Sequence, residues 1–152
     1  MENNVSPEAS QKMTARWQAW APKFLSVLRI MAGLLFYFVG TMKLLNFPIA
    51  MPAAMGPVKL LSLIGIAGLL EVVGGLLITL GLFTRPTAFI LSGEMAVAYF
   101  IGHAGNGFWP IANGGTDAIL YCFLFLYLSS VGAGAWSIDA WREKREVAST
   151  NS

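Results

Sequence analysis

Charge is what this sequence has least of. Only 12% of its 152 residues are Asp, Glu, Lys or Arg, against about 25% in soluble domains, while 56% are hydrophobic and the mean hydropathy is +0.63. So few polar groups cannot cover a water-exposed surface, which excludes an ordinary soluble domain. The formal net charge of +2 supplies no basic face, so no nucleic-acid partner is expected. A single cysteine, Cys122, excludes an intrachain disulfide; inside an apolar run it reads as a small packing residue. A single histidine, His103, has no second ligand nearby and no partner for a b-type haem, so no metal site is expected. No flavin or nicotinamide motif occurs. Strict alternation never persists for ten residues, which disfavours a β-barrel.

Long apolar runs are what the sequence has instead. Four stand out, at about residues 24–45, 58–83, 86–103 and 117–132. Crossing ~30 Å of hydrocarbon takes about 20 helical residues, within a range of about 17–25. The first two runs are long enough, and the last two need a locally thinner bilayer. The fold class expected is all-α, a four-helix transmembrane bundle. The first run is longer than the roughly 7–15 residues of a signal-peptide core and reads as an anchor that stays. Breakers separate the runs: Pro48, Pro52, Gly56 and Pro57, then Thr84-Arg85-Pro86, then the glycine- and asparagine-rich stretch 104–115. The organisation expected is a polar segment 1–23, a membrane domain 24–134 and a tail 135–152. A short amphipathic surface helix is expected over 12–20, interfacial anchoring at Trp136 and Trp141, and no order over 147–152.

Orientation follows from lysine and arginine. With four spans, both termini and the 84–86 turn share one side, together with Lys12, Arg16, Lys23, Arg85, Arg142, Lys144 and Arg145. Only Lys43 and Lys59 fall on the other. The positive-inside rule places both termini in the cytoplasm of a bacterial plasma membrane, with the 103–115 loop facing outward.

Charged residues inside a span cost about 2.5–3.5 kcal/mol each on insertion scales and so face the protein interior. Arg29 and Lys43 lie on the first helix, Glu71 on the second, Glu94 on the third and Asp117 at the mouth of the fourth. Arg29 and Lys43 share a helix face with Gly33 and Gly40, and Glu71 is flanked at helical spacing by Ala67, Gly68, Gly74 and Gly75. Small residues let helices approach closely. By depth, Arg29 is expected to pair with Glu94, and Lys43 to lie between Glu71 and Asp117. A polar, outward-opening pocket is expected to be bounded by Lys43, Glu71, His103, Trp109 and Asp117. Plainer readings stand beside these. Arg29 and Lys43 snorkel to opposite interfaces, Asp117 caps its helix, and Trp109 is an interfacial anchor.

Several segments carry a joint pattern: Gly40-Thr41-Met42-Lys43-Leu44, Glu71-Val72-Val73-Gly74-Gly75-Leu76, Gly81-Leu82-Phe83-Thr84-Arg85, His103-Ala104-Gly105-Asn106-Gly107-Phe108-Trp109-Pro110 with Asn113-Gly114-Gly115, and Gly132-Ala133-Gly134-Ala135-Trp136-Ser137-Ile138-Asp139. Together they resemble the DoxX family of small bacterial membrane proteins. The stretch around Glu94 looks like one branch of that family. The order and spacing cover roughly residues 24–140. The resemblance implies a link to membrane redox systems through the similar DoxD subunit of thiosulfate:quinone oxidoreductase, and so to sulfur oxidation or detoxification. Electrons would then come from a quinone or a redox partner protein. The same four-helix plan is similar to a cargo-receptor family, so a non-enzymatic carrier, cargo receptor or assembly partner is the alternative. Whether the chain catalyses a reaction stays open at this point.

Overall fold

The computed structural model describes residues 7–51 and 58–150, and among the described residues the chain is helical with no strand. The elements are α1 (Pro7–Leu45), α2 (Leu63–Leu80), α3 (Thr84–Gly102), a 3-10 turn (Ala104–Asn106), α4 (Pro110–Asn113), α5 (Thr116–Val131) and α6 (Ile138–Thr150). Three stretches are long and apolar enough to cross a membrane: Gln11–Leu45, Leu63–Leu80 and Thr84–Asn106. At 16 residues, ~24 Å of helix, α5 is apolar but shorter.

Three expectations are corrected here. The surface helix over 12–20 is no separate element: α1 runs unbroken for 39 residues, with Pro22 inside it. Its first 17 residues extend it ~25 Å beyond the apolar run that starts at Phe24. The second helix starts at Leu63, five residues later than the apolar run suggests, because the Ser62 hydroxyl caps it by accepting from the Gly65 amide at 3.1 Å. The tail is helical as far as Thr150. Pro52, Gly56 and Pro57, read as loop breakers, lie outside the described residues.

The turn between α2 and α3 is short. Gly81 adopts a left-handed φ of 67°, and the amides of Gly81 and Leu82 return to the carbonyls of Ile78 and Leu77 at 3.1 and 3.0 Å, closing the helix as glycine C-caps do. The start of α3 has no local cap. Its first amides, Phe83 and Thr84, donate at 2.9 Å each to the two carboxylate oxygens of Asp139, more than fifty residues away.

Antiparallel α1 and α2 meet through glycine. A Cβ on Gly33 would fall 2.6 Å from the Thr79 amide and 2.9 Å from the Gly75 carbonyl, and one on Gly40 would fall 2.7 Å from the Val72 amide and 2.8 Å from the Gly68 carbonyl. Each helix thus spaces its two contact glycines by seven residues. On the neighbouring face of α2, Gly74 receives Leu91 of α3. A core of Phe36, Ile78, Ala88, Leu91, Met95, Phe125 and Leu128 joins α1, α2, α3 and α5. Phe36 meets Phe125 edge-on at 4.9 Å.

The surface is the reverse of a soluble protein's. Ser26, Arg29, Thr41, Glu71, Thr84, Thr87 and Ser92 are buried, while Leu35, Phe38, Phe89, Phe100 and Phe123 are exposed. Large apolar side chains outside and small or polar ones inside are stable only where the surroundings are themselves apolar.

Candidate functional site

The buried charges separate into two groups toward opposite ends of the apolar part of α1, residues 24–45. At one end Arg29 is fully buried. Its Nε donates to the Ala133 carbonyl at 2.8 Å, one terminal nitrogen to the carbonyls of Ile78 and of Thr79, the latter at 2.6 Å, and the other to the Trp136 carbonyl at 2.6 Å. The planar fork of the guanidinium is therefore spread over the C-terminal turn of α2 and the 132–136 segment. Ser26 completes the arrangement: its hydroxyl donates to the Pro22 carbonyl at 2.8 Å and accepts from the Trp136 amide at 3.0 Å. Arg29 makes no bond to Glu94. The acid within its electrostatic reach is Asp139, which sequence reasoning passed over although it stands in the closing Gly-Ala-Trp-Ser-Ile-Asp segment.

At the other end, Lys43 Nζ donates to Glu71 Oε1 at 2.5 Å, from α1 to the middle of α2. Glu71 is 1% exposed and Lys43 21%. The second Glu71 oxygen and both oxygens of Glu94 are buried and have no hydrogen-bond partner among the described residues. Glu94 on α3 feels the charge of both Glu71 and Lys43. The structure thus gathers two carboxyl groups and one ammonium inside the helices. Small residues make this possible: Lys43 leaves α1 beside Gly68, whose added Cβ would lie 3.2 Å from the lysine Cβ.

The remaining pocket candidates lie in the 103–115 loop and at the start of α5. His103 Nδ1 lies 3.1 Å from the Asn113 carbonyl, an atom that only accepts, so this nitrogen carries the proton. The imidazole stacks on Tyr99 at 6.5 Å. The Asn113 side chain donates to the Gly107 carbonyl at 2.8 Å and accepts from the Gly115 amide at 2.8 Å. Asn113 thus organises the 103–115 loop; its position between Pro110 and Gly114-Gly115 is the signal for such a role. Trp109 is exposed and meets Phe108 edge-on. Asp117 is exposed in the first turn of α5, near Tyr121 one turn on. No hydrogen bond, ion pair or ring contact joins His103, Trp109 or Asp117 to the Lys43–Glu71 pair. Cys122 lies 3.6 Å from the Ser92 hydroxyl, which donates to the Cys122 carbonyl at 2.8 Å, a contact between α3 and α5.

Two prominent cavities among the described residues are lined by none of the five pocket candidates. One of about 360 Å³ opens at the Arg29 end, between the α2–α3 turn, the end of α5 and α6. The other, about 440 Å³, is a groove on the early part of α1 lined by Met13, Arg16, Trp17, Trp20 and Phe24.

Span-length apolar helices, an inverted surface and buried ion-pairing groups define an integral membrane protein. The chain belongs to the DoxX family, whose model matches residues 24–104. It is 50% identical over 125 residues to an uncharacterised protein of Haemophilus influenzae, covering 80% of this chain and 92% of that one. It is 31% identical to the inner membrane protein YphA of Escherichia coli, covering 78% and 89% of the two chains. It is 29% identical to the uncharacterised membrane protein Rv3486 of Mycobacterium tuberculosis, covering 86% and 88%. No solved structure matches the chain.

Proposed function

We propose that the chain is a four-helix inner-membrane subunit of a quinone-linked redox system, acting in sulfur oxidation or detoxification, with both termini cytoplasmic. In this reading residues 24–134 form the membrane domain, 1–23 and 135–152 are cytoplasmic, and α5 is the fourth span. One observation carries it: the Lys43–Glu71 pair with Glu94 in its electrostatic reach, three titratable groups held among apolar helices with carboxylate oxygens to spare. Reducing a quinone to a quinol adds two electrons and two protons. Carboxyl groups at the headgroup supply and accept protons, and an ammonium donates to a quinone carbonyl. The electrons come from a partner protein with its own carrier. His103, Trp109 and Asp117 form the outward mouth of this site.

Quinone content tests the reading. Chain purified from native membrane carries more quinone per phospholipid than the bulk membrane, and Glu94→Gln loses that excess while the fold is kept. Quinone at the bulk ratio in the wild type overturns it. A reporter active only in the cytoplasm, fused after Ser152 or inserted at Gly105–Gly107, tests the orientation. Activity from the loop insertion reverses it.

The alternative, a non-enzymatic carrier, cargo receptor or assembly partner, is favoured by the early part of α1, where Met13, Trp17 and Trp20 are exposed beyond the apolar run. Stoichiometric co-purification of a soluble protein, lost on truncating residues 1–20, together with quinone at the bulk ratio, selects it.

A further inference from the structure

The 360 Å³ cavity sits where the apolar helices end. Its apolar wall is Phe83, Pro86 and Val131, and α6 forms its polar side. Two guanidiniums, Arg85 and Arg142, and three carboxylates, Asp139, Glu143 and Glu146, line it; Asp139 is taken up by the Phe83 and Thr84 amides, which leaves Glu143 and Glu146 facing the two arginines. These side chains do not pair with one another. Arg142 stands over the Phe83 ring at 5.3 Å and, among the described residues, makes no ion pair with Glu143, Glu146 or any other acid. Arg85 turns part of its guanidinium to the last carbonyls of α5, at Ser129, Ser130 and Val131. The wall also contains Thr84, fully buried, whose hydroxyl has no partner among the described residues.

Opposite charges that share a cavity without meeting leave room for a ligand carrying both signs. The apolar wall and the position at the end of the spans require that ligand to be amphiphilic. Carboxylates are hydrogen-bond acceptors only, so they favour a cation with N–H donors over a quaternary ammonium, which has none.

We propose that this cavity is a binding site for the headgroup of a phospholipid bearing a primary ammonium, of the phosphatidylethanolamine class. The phosphodiester lies against Arg142 and the free part of Arg85, as guanidinium forks receive phosphate oxygens. The ammonium lies against Glu143 and Glu146. The Thr84 hydroxyl is the remaining donor in the wall. The acyl chains leave over Phe83 and Val131 into the bilayer.

The test uses full-length protein in detergent with defined lipids, read by native mass spectrometry and by thermal unfolding. Phosphatidylethanolamine is compared with phosphatidylcholine, phosphatidylglycerol and soluble glycerophosphoethanolamine. The wild type retains phosphatidylethanolamine over phosphatidylcholine by about threefold or more, the scale of interfacial ion pairs. The double variant Glu143→Gln/Glu146→Gln, both exposed on α6, loses that preference with its own melting temperature unchanged. Arg142→Gln weakens every phospholipid at this site. Glycerophosphoethanolamine competing as well as the whole lipid overturns the lipid assignment. Equal retention of ethanolamine and choline lipids by the wild type, or an ethanolamine preference that survives the double glutamine variant, overturns the site.

Discussion

The apolar part of helix α1 carries two long cations fourteen residues apart, and their surroundings are opposites. Arg29 is sealed in, and its donors end on four backbone carbonyls from two distant segments. Lys43 is one-fifth exposed and has one acceptor, Glu71, beyond which three carboxyl oxygens stay unmatched. A buried charge with all three nitrogens hydrogen-bonded is architecture: it joins the end of α2 to the 132–136 segment. A buried charge group with unmatched oxygens costs stability and is where a ligand or proton finds its partner. A charge within a span is therefore an incomplete functional signal; the state of its hydrogen bonds separates the two kinds.

The largest effect that would break this comparison is at Arg29. Arg29→Met should destabilise the protein by about 3–5 kcal/mol, because it leaves buried carbonyls without donors. Arg29→Lys should not restore it, since an ammonium cannot span the four acceptors. Thermal unfolding in detergent reads both, and a wild-type melting temperature for Arg29→Met would remove the architectural role. Glu71→Leu should cost about 1–3 kcal/mol, less than Arg29→Met, because Lys43 is partly exposed and reaches the interface when its partner is gone. Gly75→Ala should cost about 1–3 kcal/mol by overpacking, since its Cβ would lie 2.6 Å from the Tyr37 amide; the same measurement shows whether α1 and α2 tolerate being pushed apart. Glu94→Leu should leave stability unchanged or raise it by about 1 kcal/mol, since it removes two buried oxygens without partners. A large loss of stability there would show Glu94 to be structural. The smallest effect is expected at Gly93, where a Cβ meets nothing within 4 Å: Gly93→Ala should stay within about 0.5 kcal/mol.

How much could be read in advance differs between the two groups. Glu71 with its flanking glycines, and the stripe joining Gly33, Gly40 and Lys43, were legible because helical periodicity places them on one face. The Gly33–Gly75 and Gly40–Gly68 crossing and the Lys43–Glu71 pair follow that pattern. The partner of Arg29 was not legible. Depth along the helix put it level with Glu94, but depth says nothing about rotation or about which carbonyls a returning loop presents. Asp139 is the same case. Its carboxylate caps α3 from the far end of the chain, and no local pattern announces a cap separated by more than fifty residues.

Composition and run length by themselves determined that this is a membrane protein, because a chain with 12% charged residues and apolar runs of helical length has no other stable surroundings. Glycine and proline placed the turns only approximately: the tight turn expected at Thr84-Arg85-Pro86 falls at Gly81-Leu82-Phe83, and Thr84-Arg85-Pro86 opens α3. Tertiary structure alone decided which charges are satisfied. It seated Arg29 on backbone carbonyls instead of on Glu94, and left Glu94 within electrostatic reach of the Lys43–Glu71 pair. Each of these depends on how neighbouring helices are rotated and how closely they approach, and those are set by contacts between residues far apart in the chain.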